Sequence, residues 1–392
     1  MTRSRLALWA VTLLVLVVAP LVFSKGFALS LLCQMGILVV FALSYNMLLG
    51  QTGLLSFGHA VYYGLGALFA IHVLNLNKVP TPFIPLVGGL AGLAFGLVFG
   101  YITTRRAGTT FAMITLGVGE MVAASSLMFP AFFGGEAGIS GNRSQEPFFG
   151  LTFGPQIQVY YLIAAWLVIC VVAMHALTRT PLGRMANAVR DNPERAQFVG
   201  YDPQRVRFLM VALSGFFAGV AGGLATLNYE IVSAESLSAL TSGMVLLATF
   251  VGGVGFFAGP ILGAIVITLM STVLAGYTKA WPFYFGLLFL STVLFVPGGL
   301  TGVVVLQKRL WDAGLLSRVA PVYVRMAVPG LVFVGGAVVA VEMAYRGVRL
   351  PGAWLGTFAA MAVGLLAARW LWRRESDRWA AALEALAGKA AP

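Results

Sequence analysis

Apolar stretches about 20 residues long recur along almost the whole chain, at 6–23, 28–49, 57–76, 83–104, 109–129, 157–177, 208–228, 238–256, 260–277, 283–306, 326–345 and 351–372. A helix of that length matches the ~30 Å hydrocarbon core of a bilayer, where every backbone N–H and C=O must find its partner inside the protein. The pattern predicts an all-α, polytopic integral membrane protein with about 10–12 apolar segments. Some are interrupted. Residues 50–56, 208–236 and 238–259 mix glycine and polar side chains into membrane-grade sequence, and predict broken or re-entrant spans. Glycine itself is periodic. Gly88, Gly92, Gly96 and Gly100 recur at every fourth position, as do Gly215, Gly219 and Gly223, and Gly255, Gly259 and Gly263. Each set predicts a bare helical stripe that another backbone approaches closely.

Composition points the same way, with 59% hydrophobic and 10% charged residues against roughly a quarter charged in soluble domains. The formal net charge of +12 does not collect into one nucleic-acid-binding patch. If every segment crosses and the N-terminus is cytoplasmic, all lysines and arginines except Lys25, Lys78, Arg143, Lys279, Arg346 and Arg349 fall on the cytoplasmic side. That is the asymmetry the positive-inside rule demands, and it puts both termini in the cytoplasm. The first segment has the basic lead of a signal peptide in Arg3 and Arg5. It ends at Pro20 and at Ser24 and Lys25 without a small-residue cleavage pattern, so it is read as a retained span. Cys33 and Cys170 lie in apolar runs and offer neither a disulfide framework nor metal-ligand spacing.

The sharpest interruption is GQTGLLSFGH at 50–59. Unpaired backbone costs several kcal/mol in hydrocarbon, so a break at membrane depth persists only where protein or a hydrated cavity satisfies it. Such breaks line solute paths in transporters, while an ordinary cytoplasmic turn fits the same residues. Among the polar residues within spans, His59, His72 and His175 read as structural histidines before proton relays. Glu342 has Arg346 to pair with near a surface. Glu120 has no such escape and is a functional candidate, since carboxylates inside spans are rare. The glycine-dense loop 133–142 fits either an extracytoplasmic gate or a solvated linker.

Residues 178–207 form the most structured-looking polar loop. Leu182, Met185, Ala186 and Val189 mark one helical face, and Arg184 and Arg190 the other. Asn192 can cap a second helix, with Pro193 at its first position, Glu194 in the first turn and Gly200 at its end. Two short amphipathic helices follow, either lying on the lipid interface or docking a cytoplasmic partner. The chain holds no phosphate-binding G-x-x-x-x-G-K-[ST] motif, no H-E-x-x-H and no paired carboxylates or nucleophile with its base. It is therefore expected to be no enzyme and to hold no cofactor or metal. A solute flux through it draws on an ion gradient or a separate ATPase, and one lone intramembrane acid fits the ATPase better.

Taken together, GQTGLLSFGHAVYYGLGA (50–67), GTTFAMITLGVGEM (108–121), GGEAGISG (134–141), TPLGRMANAVRDNPERAQFVGYDPQRVRFLMVALSGFFAGVAGGL (180–224), LATFVGGVGFFAGPILGAIVI (247–267) and LFVPGGLTGVV (294–304) resemble the LivM-like branched-chain amino-acid ABC transporter permeases. The resemblance covers most of the first 308 residues. It implies a permease subunit of an importer in the bacterial cytoplasmic membrane, working with a second related permease, cytoplasmic ABC ATPase subunits that bind the ATP, and an extracytoplasmic solute-binding protein. It implies alternating access for branched-chain or related hydrophobic amino acids. A urea or short-amide permease is the near alternative and an ion-coupled carrier the distant one. It moves Gln51, Thr52, Ser56, His59 and Glu120 toward the translocation path. Arg184, Arg190, Asp191, Glu194, Arg195 and Gly200 move toward the ATPase-coupling loop. Residues 1–308 are then the transmembrane core, and 309–392 an appended helix pair with a basic tail that the resemblance does not cover.

Overall fold

The computed structural model describes residues 3–23, 25–144, 147–347 and 349–390. Ser24 lies outside the described residues, as do the side chains of Arg3, Arg5, Arg318, Arg378 and Lys389. The protein is all-α and polytopic. Eight described helices are long and apolar enough to cross a membrane, or up to nine if one bent pair counts as a span. Each of the apolar segments read from the sequence coincides with a helix or a helix pair.

In chain order, α1 (Arg3–Val22) leads to α2 (Gly26–Thr52), α3 (Ala60–Asn75), α4 (Ile84–Thr103) and α5 (Thr109–Met128), then the single turn α6 (Pro130–Phe133). After α7 (Gln156–Arg179) come two short helices, α8 (Pro181–Asp191) and α9 (Pro193–Phe198), before α10 (Pro203–Tyr229). The series continues with α11 (Ala239–Gly252), α12 (Gly259–Thr268), the short α13 (Ala275–Tyr277), α14 (Trp281–Phe295), α15 (Gly299–Asp312), α16 (Leu316–Tyr345) and α17 (Pro351–Ala390). A two-stranded ladder joins β1 (Ile139–Ser140) to β2 (Ile231–Val232) antiparallel.

Two compact units result, one of residues 1–274 and 288–301, the other of 275–287 and 302–392. In the first, α10 is the axis and α4 runs antiparallel to it. The two glycine stripes read from the sequence meet there: Gly88, Gly92 and Gly96 of α4 face Gly219, Gly215 and Ala212 of α10 backbone to backbone. A Cβ on Gly66 of α3 would sit 2.5 Å from the Cα of Gly219. Small residues drive this contact because lipid offers no hydrophobic reward for helix pairing. The third stripe works differently. Gly259 and Gly263 pack α12 against Gly252 and Ala248 of α11, while Gly255 lies in the break before α12.

Proline in α1 leaves the Leu16 carbonyl without its helical donor, since Pro20 has no N–H. The Tyr160 hydroxyl of α7 donates to that carbonyl at 2.8 Å. In the second unit, α16 and α17 form an antiparallel hairpin. Glu375 is buried there in an ion pair with Arg325. Glu342 accepts from the Tyr284 hydroxyl at 3.2 Å and pairs with Arg346 at 3.5 Å.

Gly219→Val forces the α4–α10 seam apart and is expected to cost on the order of 3 kcal/mol, whereas Gly117→Ala on α5, with nothing near its would-be Cβ, is expected to be neutral or slightly stabilising. Thermal midpoints of the two variants in lipid nanodiscs check this.

Candidate functional site

α2 and α10 share one design. Each is a 27-residue helix followed by a break and a shorter helix, α3 of 16 residues and α11 of 14. The two run in opposite senses, since Ser214 donates to the Ser44 carbonyl near mid-helix while Gln156 reaches both Cys33 and Asn228 at one end. After Thr52 the chain does not simply turn over the membrane surface. It folds back beside α2, so that the Tyr45 hydroxyl donates to the Ser56 carbonyl at 2.9 Å and His59 Nε2 meets Ser44 Oγ at 3.0 Å. Ser44 lies eight residues before the end of α2, about 12 Å along its axis. α3 therefore starts inside the protein. The second break descends from the other face, and Ser242 in the first turn of α11 caps α3, the Ala60 N–H donating to Ser242 Oγ at 2.9 Å. The first turns of two short helices thus meet in the interior. Discontinuous helices of this kind, in inverted repeats, characterise transporters.

Sequence candidates fall into three places. Ser56 and His59 sit in a closed polar seam, almost wholly buried and ringed by Phe41, Tyr45 and Tyr62 around the imidazole. Since Ser44 Oγ already donates to the Phe41 carbonyl, His59 Nε2 is the donor to Ser44. Glu120 is apart from both. α5 buries Phe111, Ala112, Thr115, Gly119, Val122 and Ser126, with Thr115 and Gly119 against the break, where the Phe57 N–H donates to Thr115 Oγ1 at 3.2 Å, and this turns Glu120 to the exposed face. No hydrogen bond or ion pair is made by Glu120 among the described residues.

Gln51 and Thr52 close α2, and here the structure joins residues that the sequence reading had kept separate. Arg190 of α8 reaches inward and donates from Nη1 to the Gly50 carbonyl. Its Nε donates to Asp191 at 2.9 Å. The guanidinium sits at the negative end of the α2 dipole. Beside it lies a cavity of about 320 Å³ that Asn46, Gln51, Thr178 and Asn187 line with polar atoms and Phe256 and Phe257 with rings.

The two loop helices form, each with a side-chain cap at its start. Thr180 accepts from the Gly183 N–H and Asn192 from the Arg195 N–H, with a proline at the first position of each helix. Gly183, Ala186 and Val189 are the buried face of α8. Arg184, Asp191, Glu194 and Arg195 are exposed, and Gly200 ends the pair with φ +93°. Phe198 is 91% exposed beside exposed Val199 and Tyr201. Sequence reading passed over this knob, whose signal was three large apolar residues flanking Gly200.

It also passed over Arg143, counted only as a charge. Arg143 is buried at the opposite face, where Nε donates to Phe153 O, Nη1 to Leu227 O and Asn228 O, and Nη2 to Gly154 O and Gln156 Oε1. One side chain so ties loop 134–155 to the last turn of α10 and the start of α7. The loop is further held by β1–β2 and by Asn75 Nδ2 donating to Ser140 O.

Broken helices, a buried polar seam and helices packed on glycine define a multi-pass membrane transport subunit. The chain belongs to the family described as branched-chain amino acid transport system / permease component, which matches residues 27–297. It is 29% identical over 329 residues to the LivM permease protein of the high-affinity branched-chain amino acid transport system of Escherichia coli, covering 77% of this chain and 76% of that one. The Salmonella typhimurium LivM protein is 28% identical over the same shares. The fructose import permease protein FrcC of Rhizobium meliloti is 30% identical over 48% of this chain and 55% of its own. No solved structure matches.

Arg143→Ala strands five carbonyl-type acceptors and is expected to cost about 3–5 kcal/mol, with Arg143→Lys rescuing little because an ammonium cannot reach that spread of partners. Protease cleavage within 134–155, compared in wild type and both variants, measures the loosening.

Proposed function

We propose that the chain is the transmembrane permease subunit of an ATP-binding-cassette importer for branched-chain or related hydrophobic amino acids. Separate cytoplasmic ATPase subunits bind and hydrolyse the ATP. A second related permease completes the membrane pore, and an extracytoplasmic solute-binding protein delivers the solute. The setting is the bacterial cytoplasmic membrane with both termini inside. Residues 1–308 are the transporting core, and 309–392 an addition outside it.

The observation that carries this reading is the double character of α8 and α9. One face is bolted to the transporting helices through Ala186, Val189 and the Arg190–Gly50 bond. The other presents Arg184, Glu194, Arg195 and the Phe198 knob to solvent. An amphipathic pair that only rested on lipid would turn its large apolar residues to the same side as its buried face. ATP-driven closure of the partners moves this pair, and Arg190 carries the motion to the end of α2. The polar seam at Ser56 and His59 then opens alternately to each side, with Gln51 and Thr52 at its inner end. Glu120, outward on α5, faces the second permease chain, where an intramembrane carboxylate finds its hydration or partner. The fructose permease relative gives a sugar cargo some support, over a smaller share of the chain.

Phe198→Ser is expected to weaken docking by about 2 kcal/mol, roughly 30-fold, and Arg190→Ala or Glu194→Ala to uncouple ATP hydrolysis from uptake. The reconstituted complex with its ATPases, sister permease and binding protein is assayed for labelled L-leucine uptake and solute-stimulated ATPase. Coupling left intact in all three variants removes the docking role.

A further inference from the structure

The first helix stands off from the core it belongs to. Two tyrosines of α7 hold α1 by its backbone at one end, the Tyr160 hydroxyl through the Leu16 carbonyl at 2.8 Å and the Tyr161 hydroxyl through the Val17 carbonyl at 3.4 Å. Before that end, Val11 and Val15 border a gap, and each is 58% exposed. The gap is a slot of about 380 Å³ with α1 on one side and α2, α7 and α12 on the others. Leu32, Met35 and Val39 line it from α2, Ile163 and Val168 from α7, and Ile265 from α12.

Chemistry and shape together select the occupant. Thr12 and Tyr160 carry the polar side-chain groups of the lining; the Tyr160 hydroxyl is spent on Leu16, and Thr12 is not free either. A charged or hydroxylated solute would leave its polar groups unmet there. Water fares no better, since an apolar cavity of even ~150 Å³ stays dry and takes up hydrocarbon ligands instead. A further helix, about 10 Å across, is too wide for the space, and an extended peptide would bury its N–H and C=O groups without partners. The slot runs along the helices. From Tyr160 to Val171 it follows α7 for about 16 Å of helical rise, which is half of the ~30 Å hydrocarbon core that two leaflets fill between them. Its Tyr160 end lies toward the Arg143 face, because Gln156, one turn earlier on α7, accepts from Arg143 Nη2.

We infer that the slot is a binding site for one acyl chain of a membrane phospholipid, which enters from the leaflet on the Arg143 face and lies between α1 and the wall of α2, α7 and α12. Hydrocarbon supplies along this stretch the packing that α1 does not receive from protein. α1 is thereby fastened twice, by tyrosine hydroxyls at Leu16 and Val17 and by lipid before them. This fastening is independent of the solute that crosses.

For the test, the full chain in lipid nanodiscs that contain a phospholipid with a mid-chain diazirine is irradiated, digested and mapped by mass spectrometry. Label is expected on Met35 and on Val39, which is only 5% exposed, as well as on Leu14, which lies outside the slot at 62% exposure. Label confined to Leu14 and other outward residues overturns the site on the wild-type chain alone. Ala164→Trp on α7 and Ala19→Phe on α1 both fill the slot and are expected to lose the label at Met35 and Val39 while keeping it at Leu14. Wall label undiminished in both variants overturns the site. After detergent washing, native mass spectrometry of the wild type is expected to show one retained phospholipid per chain, which Ala164→Trp loses; a wild type that retains none, or a variant that retains as much, overturns it.

Discussion

Satisfying backbone hydrogen bonds away from water is the constraint on which the rest of this structure depends. A continuous helix meets it without help, but this chain interrupts its helices, most deeply at 53–59 and 230–238, and each freed group must be met by something else. The partners come from other helices: Tyr45 for the Ser56 carbonyl, Thr115 for the Phe57 N–H, Ser242 for the Ala60 N–H. Each break therefore ties together helices distant in sequence, and the interior first turns of α3 and α11 are held by those ties rather than by lipid. The same logic appears at smaller scale where Tyr160 meets the carbonyl that Pro20 leaves bare.

Much of this was legible in the sequence because it depends on period and composition. The apolar segments gave the helices, and the i+4 glycines marked the stripes that pack α4 on α10. Asn192 and the proline after it gave the cap of α9, while the Thr180 cap of α8 comes from the structure. What stayed hidden depends on which residues meet across the fold. GQTGLLSFGH fits a surface turn or a buried break equally until Ser44 is known to lie beside His59, 15 positions away. Glu120 stood out for its rarity, and the direction it faces, outward, is set by the Gly119–Gly58 contact one position earlier, which the sequence does not show. Arg143 looked like a lone outer cation, and its role needs three separate backbone segments brought together.

Glycine packing and polar breaks act at different levels. Side-chain-free seams let α3, α4 and α10 approach at backbone distance, and a contact with no rotamers has little freedom to deform. Those helices are packed to hold together as one body. The breaks are softer: their bonds are single, each between one hydroxyl or ring and one backbone group, and each is worth about 0.5–1.5 kcal/mol net. Motion in such an assembly concentrates where the bonds are individually weak, which is along the seam from Ser56 to Ser242 and at the loops that cap it.

Arg190 is the bond through which a load on α8 would reach that seam. A guanidinium at a helix C-terminus gains from the dipole and from a charge-assisted hydrogen bond, together on the order of 2–3 kcal/mol. That is enough to hold α8 against α2 when nothing pulls, yet small against what a protein docked on α8, as proposed above, would deliver. The bond also ends on Gly50, one residue before Gln51 and three before the left-handed Gly53 where the helix stops. A pull on α8 thus acts at the very point where α2 gives way to the break, so displacement of the loop helix becomes displacement of residues 53–59 instead of being absorbed in 27 residues of regular helix. An attachment at mid-helix would have spread the same load over α2 as a whole.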